Sequence, residues 1–295
     1  MPELPEVETM CRGIAGVVGS RVADVQRPPC DRRPILFAPD VATFANRVLG
    51  RTIVRIGRRG KRVLIHFDDE QVIVIEPRMT GLVLVAEPPT NEHLRLRLLF
   101  ENGPHEELLF WDRRGLGTVR LLTKDEADDV LGLDRIGADA LQISCGELRD
   151  RLGSGRRAVK VALLDQKLIA GVGNLYAAEI LHVAGVDPRV RCDRLSGPQW
   201  QRIHAAISAV LDDAIRHEGS TLSDGTYRNA LNQDGGYQNM HRVYDRAGKL
   251  CRRCGGTIVR IVQAQRSTFF CPTCQKRRGL HAAVTRVATT PNSHN

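Results

Sequence analysis

His93-Leu94-Arg95-Leu96-Arg97-Leu98 alternates polar and apolar residues at every step. That is the period of a β-strand with one face buried and the other solvated. Similar texture extends to both sides of it. Ile53–Ile56, Val63–Phe67, Val72–Glu76, Leu82–Ala86, Leu94–Phe100, Leu108–Trp111 and Val119–Leu122 are short apolar or alternating runs, parted by Gly, Pro, Asn and charged clusters. Many short strands without intervening helices predict an antiparallel sandwich or barrel. Ahead of them, residues 5–14 predict a short helix, with Pro5 in its first turn and Val7, Met10, Cys11 and Ile14 on one face.

After Thr123 the texture turns helical. Helices are expected near 145–152, 158–166, 174–184 and 197–217. In the last, Ser196 is the N-cap and Trp200, Ile203, Ile207, Val210, Leu211 and Ala214 form one stripe. From 218 to 239 the chain is rich in Gly, Asn, Gln, Asp and Ser, which predicts a long mobile loop of the kind that often carries function. The expected class is a multidomain α+β protein. Its units are a β-sandwich domain at 1–122, a helical domain at 123–240, a cysteine module at 241–278 and a disordered tail at 279–295.

With 295 residues the chain suits about two or more domains. No stretch approaches the ~18 apolar residues of a membrane span, and the start, Met1-Pro2-Glu3, lacks the basic-then-apolar layout of an export signal. A cytoplasmic protein without membrane contact is expected. Its net charge is +9. From Met240 to Leu280 there are ten basic residues and one acid, so that segment holds the entire excess. Charge gathered in one module predicts a local polyanion site, with nucleic acid the foremost candidate.

The same segment holds Cys251, Cys254, Cys271 and Cys274, two CxxC pairs with sixteen residues between them. Paired thiolates on two tight knuckles predict one structural zinc ion. Two disulfides fit poorly in a chain without an export signal.

Two other stretches have chemistry in them. Gly171 and Gly173 mark a sharp turn ahead of a helix starting at Asn174. This is either an ordinary helix–helix turn or a seat for phosphate on free backbone N–H groups. At the N-terminus, Glu3 and Glu6 suit the start of a helix. The alternative reading depends on Pro2. Removal of Met1 exposes a secondary amine, which can form a Schiff base with an aldehyde-level carbon while a neighbouring carboxyl serves as general acid.

The start MPELPEVET, the segment LLDQKLIAGVGNLYAAE and the knuckles CRRC and CPTC together resemble the formamidopyrimidine-DNA glycosylase family of bacterial enzymes that excise oxidised purines. The resemblance covers about residues 1–278. It implies a β-sandwich, a helical domain with a helix–two-turn–helix motif and a zinc finger, and a monomer acting near the bacterial nucleoid on damaged double-stranded DNA. By position it makes Pro2 the nucleophile and Glu3 the general acid, with Lys61 assisting β-elimination and Arg266 the second elimination. Lys160, Asn174 and His93 match DNA-contacting positions. Met79, Arg114 and Leu116 match side chains that fill the gap left by an extruded base, and 218–239 matches the loop that covers the lesion.

The sequence departs from the family at several of these places. Leu116 stands where many members have an aromatic residue, Glu76 and Arg78 where relatives usually have histidine and glycine, and Leu250 where proline is common. The related endonuclease VIII branch, which favours oxidised pyrimidines, typically has glycine where Leu4 stands. A non-catalytic zinc DNA-binding protein would need none of Pro2, Glu3 and Lys61. A redox-sensing cysteine protein would not need zinc-type knuckle spacing.

Overall fold

The structure, a computed structural model, describes residues 2–222 and 225–276. Met1 and the expected tail at 279–295 lie outside the described residues.

The strands of the first half are β1 (Val22–Gln26), β2 (Leu36–Ala38), β3 (Ile53–Arg59), β4 (Arg62–Phe67), β5 (Val72–Glu76), β6 (Gly81–Leu84), β7 (Leu94–Phe100), β8 (Glu107–Asp112) and β9 (Thr118–Leu122). They form a four-stranded sheet, β1-β7-β8-β6, and a five-stranded sheet, β2-β9-β5-β4-β3. All pairings are antiparallel except β2 with β9. Alternating apolar residues from both sheets, among them Val63, Ile65, Ile73, Ile75, Leu96, Leu98, Leu108 and Phe110, fill one core. β1 and β2 escape the sequence reading because they are short and carry few buried residues. The helix at Val41–Val48 escapes it too, although Asp40 caps its first turn by accepting from the Ala42 and Thr43 N–H groups.

Strand β7 departs from the alternation of its sequence. Arg95, expected on a solvated face, is 3% exposed. The β7–β8 register shifts between Leu94 and Leu96. The Arg95 Nε there donates to the Asp112 carbonyl at 3.0 Å. An irregularity of this kind re-aims a side chain, and periodicity alone does not register it.

Helix α1 (Leu4–Gly13) joins the two halves of the molecule. Val7, Met10, Cys11 and Ile14 enter the sandwich core as the helical spacing predicts. Leu4, at its start, belongs instead to the helical core. That core includes the expected stripe of the long helix Gly197–Arg216, from Trp200 to Ala214. Beside it lie the short helix Val159–Leu163 and the helix Asn174–Ala184, hereafter the recognition helix, joined by the turn-rich residues 164–173.

A buried ion cluster locks this junction. Arg58 of β3 contacts Asp139 at 2.6 Å and Glu8 of α1 at 2.8 Å, and its side chain is 8% exposed. Breaking a buried pair strands a charge, at a cost of about 3–5 kcal/mol. Asp139→Ala should therefore destabilise the protein by about 3 kcal/mol in urea unfolding. A loss of a few tenths would show that water already screens the pair.

Residues 218–222 and 225–236 are irregular, as their composition demands, and a short turn of helix follows at Tyr237–Met240. The segment is nonetheless fixed to both cores. Ala230 and Tyr227 pack in the sandwich, and Tyr237 packs in the helical core. The Ala230 carbonyl accepts from the Val85 N–H at 3.0 Å.

Candidate active site and zinc module

Glu3 and Glu6 line a cleft of about 700 Å³ together with Met79, Asn174, Ser220 and Arg266, among others. Pro2 is buried beside it. The Glu3 carboxylate accepts from the N–H groups of Leu175 at 3.0 Å and Tyr176 at 3.4 Å, so it caps the recognition helix from 172 positions away. Of the two readings the sequence left open for this turn, free N–H groups for phosphate do not apply to Leu175 and Tyr176, whose N–H groups Glu3 occupies. The positive helix end instead holds an acid next to Pro2. Gly173 is required here, because a Cβ would lie 2.2 Å from the Glu3 carboxyl carbon.

Lys160 and Asn174 meet beside this turn. Lys160 is fully buried, bonds the Asn174 amide oxygen and donates to the Ser267 carbonyl at 3.3 Å. Asn174 Nδ2 donates to the same carbonyl at 3.1 Å. Burial, with Arg266 nearby, pulls Lys160 down to about 8. Lys61, on the tight β3–β4 turn, is also lowered by burial, which outweighs the opposing pull of Glu3 and Glu6. Lys61, Lys160, Glu3 and Arg266 thus share one electrostatic environment.

Sequence reasoning missed Glu6 as a site residue. It is buried, and burial first, then the Glu3 charge, raises its pKa. Its carboxyl accepts from the Tyr176 hydroxyl at 2.6 Å, the Ser220 N–H at 2.9 Å and the Glu3 N–H at 2.8 Å. Glu6 therefore ties the root of the 218–239 segment to the chain start. Only its spacing from Glu3 hinted at a joint role.

Met79, Arg114 and Leu116 lie on two adjacent turns, none fully buried. Asp112 joins these turns. It accepts from the Thr80 hydroxyl at 2.5 Å and from the N–H groups of Arg114 and Gly117 at 3.2 and 2.7 Å. Neither Asp112 nor Thr80 was legible as a site residue. The departure at Arg78 keeps the backbone that glycine favours, with φ +56°. Glu76 pairs with Arg78 at 2.8 Å and also with Arg62. His93 stands apart from the cleft lining, 8% exposed and edge-on to Trp111 at 5.3 Å.

In the C-terminal module, strands β12 (Val259–Gln263) and β13 (Arg266–Phe270) form a hairpin that presents Arg266; two shorter strands, β10 (Ala138–Asp139) and β11 (Ile169–Ala170), precede it. The sulfurs of Cys251, Cys254, Cys271 and Cys274 lie within 4.8 Å of one another. Cys251 and Cys274 are 3.8 Å apart and Cys254 and Cys271 3.5 Å, far beyond a disulfide. Zinc–sulfur bonds of about 2.3 Å imply tetrahedron edges of about 3.8 Å. The four thiols fit one zinc ion.

Comparison with known proteins gives the family. The profile of the formamidopyrimidine-DNA glycosylase N-terminal domain matches residues 1–119. The formamidopyrimidine-DNA glycosylase H2TH domain matches 136–226, and the zinc finger found in FPG and IleRS matches 248–277. The formamidopyrimidine-DNA glycosylase of Chloroflexus aurantiacus is 42% identical over 93% of this chain and 98% of its own. A Lactococcus lactis Fpg mutant, solved with Fapy-dG-containing DNA, superposes with a TM-score of 0.82 at 30% identity, covering 94% of this chain and all of that one. The Lactococcus lactis Fpg with abasic-site DNA gives 0.82 at 29% identity, over 93% of this chain and 100% of its own. Three domain profiles in order, and relatives matched over nearly their whole length, place the chain in the formamidopyrimidine-DNA glycosylase family of DNA-repair enzymes.

Proposed function

We propose that this protein removes oxidised purines, 8-oxoguanine and formamidopyrimidines, from duplex DNA and then cleaves the strand by β,δ-elimination. The observation that carries this reading is the Glu3 carboxyl, next in sequence to Pro2, held on the start of the recognition helix in a cleft also lined by Arg266, Asn174 and Met79.

A damaged base must leave the duplex before any group reaches C1′, at a cost of a few kcal/mol. Met79, Arg114 and Leu116 fill the gap, held in mutual register by Asp112. Leu116 offers no ring to stack on the estranged base, which predicts weak discrimination of the opposite base. Lys160, Asn174 and Arg266 grip the flanking phosphates. Glu3 protonates the departing base or sugar. The neutral Pro2 nitrogen bonds to C1′ as the glycosidic bond breaks and gives up its own proton; the C1′–O4′ bond then breaks, O4′ takes a proton, and the ring-opened iminium acidifies the C2′ hydrogen. Loss of that proton expels the 3′ phosphate, with Lys61 assisting, and Arg266 assists the second expulsion. His93 grips the duplex beyond the cleft. The working division is 1–122 for chemistry, 123–240 for DNA grip and lesion cover, and 241–278 for the zinc finger, in a monomeric cytoplasmic enzyme.

Cleavage of duplexes bearing 8-oxoguanine, formamidopyrimidine, thymine glycol or an abasic site tests the substrate class. Preferred cutting at thymine glycol would assign the oxidised-pyrimidine branch instead. Met79→Ala should slow excision from an intact lesion duplex about tenfold, and cleavage at a preformed abasic site far less, because no base there has to be unstacked. Equal losses on both substrates would make Met79 a packing residue.

A further inference from the structure

Besides Ala178, which packs in the zinc module's apolar cluster, the recognition helix meets that module through the polar side chains of Asn174, Glu179 and His182. Asn174, at its start, donates to Ser267 of the zinc hairpin. Glu179, fully buried at its middle, accepts from the N–H groups of Arg242, Val243 and Tyr244 at 2.8–2.9 Å. At its last turn His182, 2% exposed, places Nε2 3.3 Å from the Cys251 sulfur. The first two contacts orient backbone; the third touches an atom of the metal site.

We infer that His182 is a positioning residue for the zinc centre, donating Nε2–H to the zinc-bound thiolate of Cys251. This rests on the zinc reading of the four cysteines. The imidazole has two neutral tautomers. His182 Nδ1 is buried and has no hydrogen-bond partner among the described residues. A proton on Nδ1 would leave a buried donor unsatisfied and turn the Nε2 lone pair toward sulfur. A metal-bound thiolate has no proton and can only accept. The Nε2–H form gives the thiolate its donor and leaves Nδ1 as an unpaired acceptor, a smaller cost than an unpaired buried N–H with a lone pair turned on the thiolate. Four thiolates around one divalent ion carry a formal charge of −2, and an N–H donor inside the protein disperses part of it. Outer partners of this kind fix ligand orientation and typically change metal affinity 10–100-fold. His182 would thus tie zinc retention to the same helix that holds Glu3 and Asn174.

The test uses the full-length, zinc-loaded protein. Nitrogen NMR of the wild type should show His182 as the Nε2–H tautomer. His182→Phe keeps a ring and removes the donor, and should speed zinc transfer to a chromophoric chelator by about tenfold or more. His182→Gln, which restores an amide donor, should bring the rate back toward wild type. Wild type lacking zinc would overturn the zinc reading, and this inference with it. Zinc-loaded wild type showing the Nδ1–H tautomer, or His182→Phe releasing zinc at the wild-type rate, would overturn the inference alone. A fast rate that His182→Gln does not slow would assign the effect to lost packing and overturn it as well. Should His182→Phe fail to fold, the wild-type tautomer decides.

Discussion

A protein whose N-terminus is acylated or extended by one residue should bind lesion DNA yet neither release the base nor cut the strand. Either change converts the Pro2 nitrogen to an amide, whose lone pair is delocalised, and replaces no side chain of the cleft or the zinc module. Borohydride added to the unblocked enzyme during turnover should reduce the iminium and leave a stable crosslink on the N-terminal peptide. The sharpest rival nucleophile is Lys61, because burial lowers its pKa and raises the fraction of free amine. Efficient trapping by blocked protein, mapped to Lys61, would show that the wrong nucleophile has been named. Glu3→Gln separates the two chemical stages. It keeps an acceptor for the Leu175 N–H, which Glu3 binds at 3.0 Å, but cannot supply a proton. Base release should fall about 10²–10⁴-fold, with cleavage at a preformed abasic site far less affected. A parallel loss on both substrates would assign Glu3 to holding the recognition helix rather than to acid catalysis.

Removing zinc should abolish productive DNA binding without unfolding the rest of the chain. The module's apolar cluster is small: Ala178, Val243, Cys251, Ile258, Phe269 and Cys271. So few buried residues leave the metal as the main source of local folding free energy. The two large cores contain none of the four ligand cysteines. Cys254→Ser should therefore retain the circular dichroism and unfolding transition of the sandwich and helical cores. It should lose roughly a hundredfold or more in affinity for an abasic-analogue duplex, since the module's cluster of basic residues no longer meets phosphate in a fixed geometry. The hairpin also supplies the Ser267 carbonyl on which Lys160 and Asn174 are oriented. Metal-free protein with full affinity and activity would sink this account.

Some features of this protein are set locally. The CxxC pairs fold as knuckles because each is a tight turn closed within its own few residues, as the Gly255 N–H bond to the Cys251 carbonyl shows. The concentration of charge in 240–280 is a matter of counting. The stripe from Trp200 to Ala214 and the apolar face of α1 are periodicities of one element, and both are buried as their spacing requires. Pro2 and its neighbouring carboxyl are legible as an amine beside an acid, Lys61 and Arg266 only through the resemblance, and the fold gathers Glu3, Lys61 and Arg266 within electrostatic reach.

Other features belong to the tertiary structure alone. A carboxylate on α1 capping a helix 172 residues later has no local signature, because Glu3 reads equally well as the start of its own helix. Asp112 looks like a turn acid until two loops converge on it. Arg95 violates its strand's alternation because a register shift in the pairing with β8, not the strand's own sequence, turns it inward. His182 has the helical spacing of a core residue, and only the packing of the zinc module against that turn gives its ring a sulfur to face. The physical reason is common to all four. Periodicity fixes which face of an element is buried, whereas a buried polar group is stable only if a partner arrives from elsewhere in the chain, and that partner is chosen by how the elements stack.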